Sequence, residues 1–402
     1  METKLKYLSV PYGKSVHGEE EIEAVIRVLR ASTQMGHHVA EMEGRVAKLF
    51  EKSFGLMVNS GSTALYLAAD LLDFSTGSEI ITPALTFSTT VAPIVKKGWV
   101  PAFVDVEEGT YNINAQQIEQ MITPQTKAMF IPNLIGNLPN WPLLKELADQ
   151  YNLVLIEDSA DTLGATINGI STGYYSHFST TSFYGSHVIN CAGNGGMLCL
   201  SDDAKYRRGR LLRSWGRSSS LYQESEKIEN RFNTIIDGIP YDAKFVFEEV
   251  GYNVEPSEIG AAFGLVQLEK LEDNINRRIR NFQALYDFFL KWEEYFVLPR
   301  QLVDSRTGWL AFPLTIKENA PFQRRDLQIF SEKRGIQTRT VFTGNILRQP
   351  GFKNIQRREQ PSGYPEADKV MKGGMLLGCH QGLEQQHLEH VFEVISDFLS
   401  QY

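Results

Sequence analysis

The apolar positions of this chain switch between helical and strand spacing, and the switches divide it into elements. Across residues 19–31, Ile22, Val25, Ile26 and Leu29 recur at helical spacing and predict an amphipathic helix. Residues 32–38 are polar and contain glycine, which predicts a loop. Residues 41–50 return to a helical pattern. A short apolar run ends at Asn59, a tight turn follows, and a helix is predicted to start near Ser62 or Thr63. Residues 79–82 and 101–106 read as strands around a helix at 89–97. Residues 127–133 and 152–157 repeat the arrangement around a helix at 141–151.

Strands alternating with helices predict an α/β fold built on a mostly parallel sheet with helices on both faces. The runs Met129-Phe-Ile131 and Leu153-Val-Leu-Ile156 lack polar alternation, as expected of strands buried on both sides. In such sheets ligands gather at the C-terminal ends of strands. Gly61-Ser62, Thr86-Phe87-Ser88 and Glu157-Asp158 fall there. Helix N-termini offer N–H groups and a positive dipole end, so Gly61-Ser62 is a candidate phosphate seat as well as an ordinary N-cap. Asp158 closes a buried strand, where a carboxylate is costly without a partner; it is a candidate for a cationic ring nitrogen or a structural ion pair.

Further along, residues 205–213 predict a basic helix, and 218–241 a polar loop. Gly251-Tyr-Asn-Val-Glu-Pro256 reads as a compact turn. A helix at 257–271 continues into a long charged one through Trp292. From about residue 296 the alternation resumes, with strands at 311–316 and 337–342, a helix at 322–333 and a last helix at 383–399. This divides the chain into a large domain, 1–270, and a small C-terminal α/β domain, 271–402.

Composition narrows the classes. The chain has 402 residues, 42% of them hydrophobic and 22% charged, as in ordinary globular proteins. A net charge of −8 argues against a nucleic-acid partner. The sequence from Met1 to Lys6 has no apolar signal core, and no apolar run is long enough to span a bilayer. Three cysteines, Cys191, Cys199 and Cys379, make neither a disulfide framework nor a four-thiolate centre, which fits a reducing cytoplasm. His177 and His380 lack ligand spacing, and no metal is expected.

One stretch concentrates chemistry. Residues 179–199 begin with hydroxyls, pass Phe183, Tyr184 and His187, and cross a glycine-rich turn into a strand at Met197. The hydroxyls suit a phosphate, and His187 is the side chain suited to move protons near neutral pH.

The order of a phosphate turn, Phe87, Asp158, Ser182-Phe-Tyr184 and Gly251-Tyr-Asn-Val-Glu-Pro256 resembles the DegT-type nucleotide-sugar aminotransferases, fold-type I pyridoxal-phosphate enzymes. The likeness runs from about residue 10 to the end. It implies that Gly61, Ser62 and Ser182 hold the coenzyme phosphate, that Phe87 covers the ring, and that Asp158 pairs with the pyridine nitrogen. Asp161 is implied beside the coenzyme. Asn253 would reach the neighbouring subunit's coenzyme, which implies a homodimer with shared active sites. His38, in the early loop beside His37, and Arg339, in the small domain, are implied substrate contacts; both types also serve as ordinary surface residues.

Five residues beyond Ser182, aminotransferases of this family carry the lysine that ties the coenzyme to the protein. This chain has His187, and no lysine between Lys145 and Lys205. That substitution is similar to the nucleotide-sugar 3-dehydratases, which act on 4-keto-6-deoxyhexoses with pyridoxamine phosphate or pyridoxal phosphate held without a covalent link. The resemblance implies loss of the C3 hydroxyl, with His187 as acid and base. The type that pairs with a separate reductase carries an iron–sulfur centre on four cysteines, and Trp215-Gly-Arg-Ser-Ser-Ser-Leu-Tyr222 contains none. This favours the type reloaded by glutamate. Asn194, Trp215, Glu255 and Gln337 depart from that type, so the nucleotide and amine donor stay open. Three alternatives remain: another pyridoxamine-dependent step coupled to a reductase, a catalytically silent binding subunit, and a conventional aminotransferase.

Overall fold

The computed structural model describes residues 7–222 and 227–402. Residues 1–6, read above for a signal core, and residues 223–226 of the expected polar loop lie outside the described residues.

The chain enters through α1 (Glu19–Ala31) and α2 (His37–Leu49). The alternation that follows is β1 (Phe54–Val58), α3 (Gly61–Asp70), β2 (Glu79–Pro83), α4 (Ser88–Lys96), β3 (Val100–Val104), β4 (Thr126–Pro132), α5 (Trp141–Tyr151) and β5 (Val154–Ser159). β6 (Phe178–Ser182) and β7 (Gly196–Leu200) complete a seven-stranded sheet in the order β1-β7-β6-β5-β4-β2-β3. β7 runs antiparallel to β1 and β6, and the other pairs are parallel. The parallel strands are buried on both faces, as their unbroken apolar runs predict. One face packs on α3 through Ile80, Phe130, Ile156 and Leu198. The other packs on α5 through Ile81, Met129, Leu155 and the fully buried Trp141. Each such side chain taken from water contributes about 1.5–3 kcal/mol.

α6 (Asp203–Arg213) follows, and then a correction to the expected loop. Residues 218–241 include a hairpin of β8 (Thr234–Ile236) and β9 (Ile239–Tyr241). Asp237 and Gly238, both at positive φ, form its two-residue turn, a conformation that Asp-Gly favours. The helix predicted at 257–271 is α7 (Glu258–Glu269), and the long charged one that follows is α8 (Leu271–Phe289), which ends in a 3₁₀ turn at Leu290–Trp292.

The rest builds a four-stranded antiparallel sheet from β10 (Phe296–Val297), β11 (Ala311–Ile316), β12 (Thr338–Thr340) and β13 (Gly374–Gly378), ordered β10-β11-β13-β12. α9 (Arg324–Glu332), α10 (Pro365–Gly373) and α11 (Gln385–Leu399) complete it. Its core is continuous with the large sheet: Val10, Leu85, Phe103 and Ile135 pack with Phe289, Phe312 and Leu376. Val10 also bridges Ile336 in parallel register. The early loop ends sooner than predicted, because Gly36 is the N-cap of α2 and Glu258 accepts hydrogen bonds from the Gly36, His38 and Val39 N–H groups. Among the described residues, no helix is long and apolar enough to cross a membrane.

Candidate active site

The C-terminal ends of the parallel strands open into a cavity of about 350 Å³. Its wall includes Gly61, Ser62, Phe87, Asp158, Asp161, Ser182 and His187, so seven of the residues singled out from sequence meet in one place.

Each is placed by local structure. The turn after β1 makes Ser60 the N-cap of α3, its Oγ accepting from the Thr63 N–H at 3.1 Å. The N–H groups of Gly61 and Ser62, in the first turn, have no partner inside the helix. Gly61 is required by packing: a Cβ there would lie 2.5 Å from the Ser182 Cβ. α3 and the end of β6 therefore close to a distance only glycine permits.

β5 ends in two carboxylates that point to opposite faces. Glu157 is satisfied by neutral donors, from Ser159 Oγ at 2.6 Å, Ser179 Oγ at 2.7 Å and Asn133 Nδ2 at 2.9 Å. Asp158 faces the cavity, accepting from Thr90 Oγ1 at 2.8 Å and the Ala160 N–H at 3.2 Å. Burial raises its pKa, and among the described residues no cation pairs with it. Asp161 accepts from the Ile135 N–H at 2.8 Å, and burial with the nearby Asp158 charge pushes it up to about 7. Ile135 sits at φ +61°, costly for a β-branched residue, and this bond helps to hold it.

His187 lies in a turn whose N–H donates to the Tyr184 carbonyl at 3.0 Å. Its Nδ1 lies 3.0 Å from the Ser182 carbonyl oxygen. Burial lowers its pKa to about 4, so the ring is neutral at pH 7. Nε2 has no hydrogen-bond partner among the described residues.

Three predicted residues lie outside this wall. Asn253 is exposed, in the turn beside Ser214. His38 opens α2 and directs Nδ1 at Glu258, 2.8 Å away. Arg339 is exposed, its guanidinium 5.5 Å from the ring centroid of Tyr12, which does line the cavity. His37, His38 and Glu258 bring potential metal ligands within 4.8 Å of one another, but the carboxylate already accepts from N–H groups at the positive end of α2.

Sequence reasoning missed Tyr12, Thr90, Leu310 and Phe342, which also line the cavity. Phe342, edge-on to Phe87 at 5.8 Å, follows β12 of the four-stranded sheet. Thr90 lies one helical turn beyond the flagged Phe87, and a hydroxyl there was the available signal.

Comparison with known proteins decides the kinship. The model of the DegT/DnrJ/EryC1/StrS aminotransferase family matches residues 15–396. The chain belongs to this family. It is 34% identical to the lipopolysaccharide biosynthesis protein RfbH of Salmonella typhimurium, over 88% of this chain and 85% of that protein. It is 32% identical to the dTDP-4-dehydro-2,6-dideoxy-D-glucose 3-dehydratase of Saccharopolyspora spinosa, over 97% and 86%. Among solved structures, E. coli GDP-4-keto-6-deoxy-D-mannose-3-dehydratase with bound hydrated PLP superposes with a TM-score of 0.87 at 28% identity, over 96% of this chain and 99% of that one. The fold is accordingly that of the fold-type I pyridoxal-phosphate-dependent transferases, with the family's mostly parallel large sheet and smaller second sheet.

Proposed function

We propose that this protein is a pyridoxamine- or pyridoxal-phosphate-dependent nucleotide-sugar 3-dehydratase, which removes the C3 oxygen of a nucleotide-linked 4-keto-6-deoxyhexose. One observation carries the reading: an imidazole whose Nε2 has no partner among the described residues stands in a cavity to whose wall those residues contribute no lysine.

The cavity suits the coenzyme. Asp158 is a buried carboxyl group with no cation beside it among the described residues, and a protonated pyridine nitrogen would supply one. The Gly61 and Ser62 N–H groups and the Ser62 and Ser182 hydroxyls offer donors for a phosphate. Phe87 and Phe342 flank the opening with aromatic surface. Bound there, the coenzyme supplies an electron sink conjugated to the substrate carbon. The chain does the rest. Asp158 keeps the ring charged, Asp161 stands beside it, and His187 takes a proton at Nε2 and returns it to the departing C3 oxygen. With no lysine in the described cavity wall, these contacts alone would hold the coenzyme.

Arg339, its guanidinium 5.5 Å from the Tyr12 ring, is the candidate contact for the nucleotide diphosphate. The exposed apolar residues Ile235, Ile239, Phe245 and Phe247 support a homodimer in which Asn253, itself exposed, completes the neighbour's site, and His38 is a candidate substrate contact. The three cysteines are free and buried, too few for a four-thiolate cluster and in keeping with a cytoplasmic, redox-neutral enzyme. The test is incubation with CDP-, GDP- and dTDP-linked 4-keto-6-deoxyhexoses plus glutamate, with and without a reductase. Loss of the C3 oxygen with glutamate alone is expected. Turnover only with the reductase favours the reductase-coupled alternative, and simple amination overturns the reading.

A further inference from the structure

α8 carries a buried polar stripe, Asn274, Arg278 and Asn281, which donates only to main-chain carbonyls and one amide. Asn274 Nδ2 reaches the Val188 carbonyl at 3.1 Å, and Asn281 Nδ2 the His380 carbonyl at 2.9 Å. Between them Arg278 is fully buried. Its Nε donates to Gln381 Oε1 at 2.8 Å, and its Nη1 to the Trp309 and Leu310 carbonyls at 2.9 and 3.0 Å. Its Nη2 donates to the Ser186 and His187 carbonyls at 3.3 and 3.2 Å. Among the described residues no carboxylate pairs with it.

A buried cation without a counter-ion is expensive, and a neutral residue would rivet two domains at lower cost. The placement of the bonds suggests why a cation stands here: one side of the guanidinium holds the small domain at Trp309 and Leu310, and the other holds the peptide that carries the cavity's imidazole. We propose that Arg278 is the positioning residue of His187: it fixes the Ser186–His187 peptide, so that the imidazole keeps Nδ1 on the Ser182 carbonyl and Nε2 toward the cavity. The inference rests on the reading of His187 as the proton-carrying group.

The electrostatics agree with the geometry. Burial is the main cause holding His187 in its neutral form, the Ser182 carbonyl opposes it, and the Arg278 charge adds to it. The other titratable groups facing the cavity are Asp158, Asp161, Tyr12 and Tyr184, the last with its ring 6.0 Å from the imidazole. Tyr12, Cys379 and His380 are the titratable groups that face Arg278 besides His187, and the Arg278 charge also helps to keep His380 neutral. Gln381 Nε2 adds a bond to the Val188 carbonyl at 3.3 Å, so the base's segment is gripped at three consecutive carbonyls.

The test reads His187 directly. Nitrogen-15 NMR of the imidazoles in the full chain, without coenzyme, is followed against pH in the wild type, Arg278→Lys and Arg278→Gln, with His187→Asn assigning the signal. The wild type should show one tautomer, hydrogen on Nδ1, with a midpoint well below that of a free histidine. Arg278→Gln should raise the midpoint by about one unit or more and mix the tautomers. Arg278→Lys keeps the charge but not the fork, and should shift in the same direction by less. In kinetics both variants should lower kcat more than they change KM, and the acid limb of the rate should move up with the midpoint. If Arg278→Gln does not fold, Arg278→Lys and Gln381→Met decide by the same shift. Folded variants that keep the wild-type midpoint and single tautomer, with only a lower melting temperature, overturn the proposal. If instead His187→Asn is fully active, the reading of His187 fails while the NMR comparison still decides what Arg278 does.

Discussion

The Nδ1 atom of His187 lies 3.0 Å from the carbonyl oxygen of Ser182, in the same turn. A carbonyl only accepts, so the hydrogen sits on Nδ1 and the lone pair on Nε2. With burial holding the ring neutral, the cavity receives a base in one tautomer.

Replacing that ring separates binding from chemistry. His187→Asn should bind pyridoxamine phosphate with affinity near the wild type, because Asp158 and the α3 N-terminus remain. Its deoxygenation rate should fall by about 10²–10⁴-fold. His187→Lys should gain what the wild type lacks: coenzyme tied to the chain, seen as added intact mass after borohydride treatment. Equal adducts in both proteins would contradict this account.

Asp158→Asn removes a buried carboxyl group whose ionised form Thr90 and the Ala160 N–H only partly compensate. Loss of a charged hydrogen bond to the coenzyme ring should weaken its binding by about tenfold to a hundredfold. The coenzyme-free protein should melt at a higher temperature, since an amide costs less to bury than an unpaired carboxylate. Absorbance titration and calorimetry measure the two effects. A variant that binds normally would remove Asp158 from the ring.

Much of this was legible in the sequence, because the signals are local. The bounds of α1 and α5, and the convergence of Gly61, Asp158, Ser182 and His187 at strand ends, follow from spacing, the βα alternation and the family likeness. What failed to show depends on distant pairings. Tyr12 and Phe342 reach the cavity because Val10 pairs with Ile336, and no short window reveals that. Asn274, Arg278 and Asn281 look like solvated helix residues until the carbonyls they serve are known. The Asp237-Gly238 turn was readable, but the apolar runs beside it, Thr234–Ile236 and Ile239–Tyr241, are only three residues each within a longer polar stretch.

Stability against pH has a calculable sign. His187 and His380 are both lowered from 6.5 to about 4 by burial, and Asp161 is raised from 3.8 to about 7. The histidines' contribution is fully present above pH 6.5 and is lost as pH falls to 4. That of Asp161 is fully present below pH 3.8 and is lost as pH rises through 7. Between pH 4 and 6.5, unfolding takes up two protons at the histidines and releases one at Asp161. Asp161→Asn should therefore steepen the acid loss of stability by about 1.4 kcal/mol per pH unit, and His380→Gln should flatten it by a similar amount. Urea unfolding across this range checks both slopes. Unchanged slopes would contradict the assigned directions.

Gly61→Ala tests the cradle. The added Cβ would fall 2.5 Å from the Ser182 Cβ, so α3 and β6 must part. Folding stability should drop by about 1–3 kcal/mol, and coenzyme affinity should fall with it. Normal affinity in this variant would place the phosphate elsewhere.

The central claim is that an imidazole in a cavity without lysine directs the coenzyme toward removing oxygen. The most direct measurement is a single turnover of the pyridoxamine-phosphate-loaded protein on a nucleotide-linked 4-keto-6-deoxyhexose, read by product mass. The account predicts a sugar lacking its C3 oxygen from the wild type and none from His187→Asn. A sugar that keeps its C3 oxygen and gains nitrogen at C4 would contradict it.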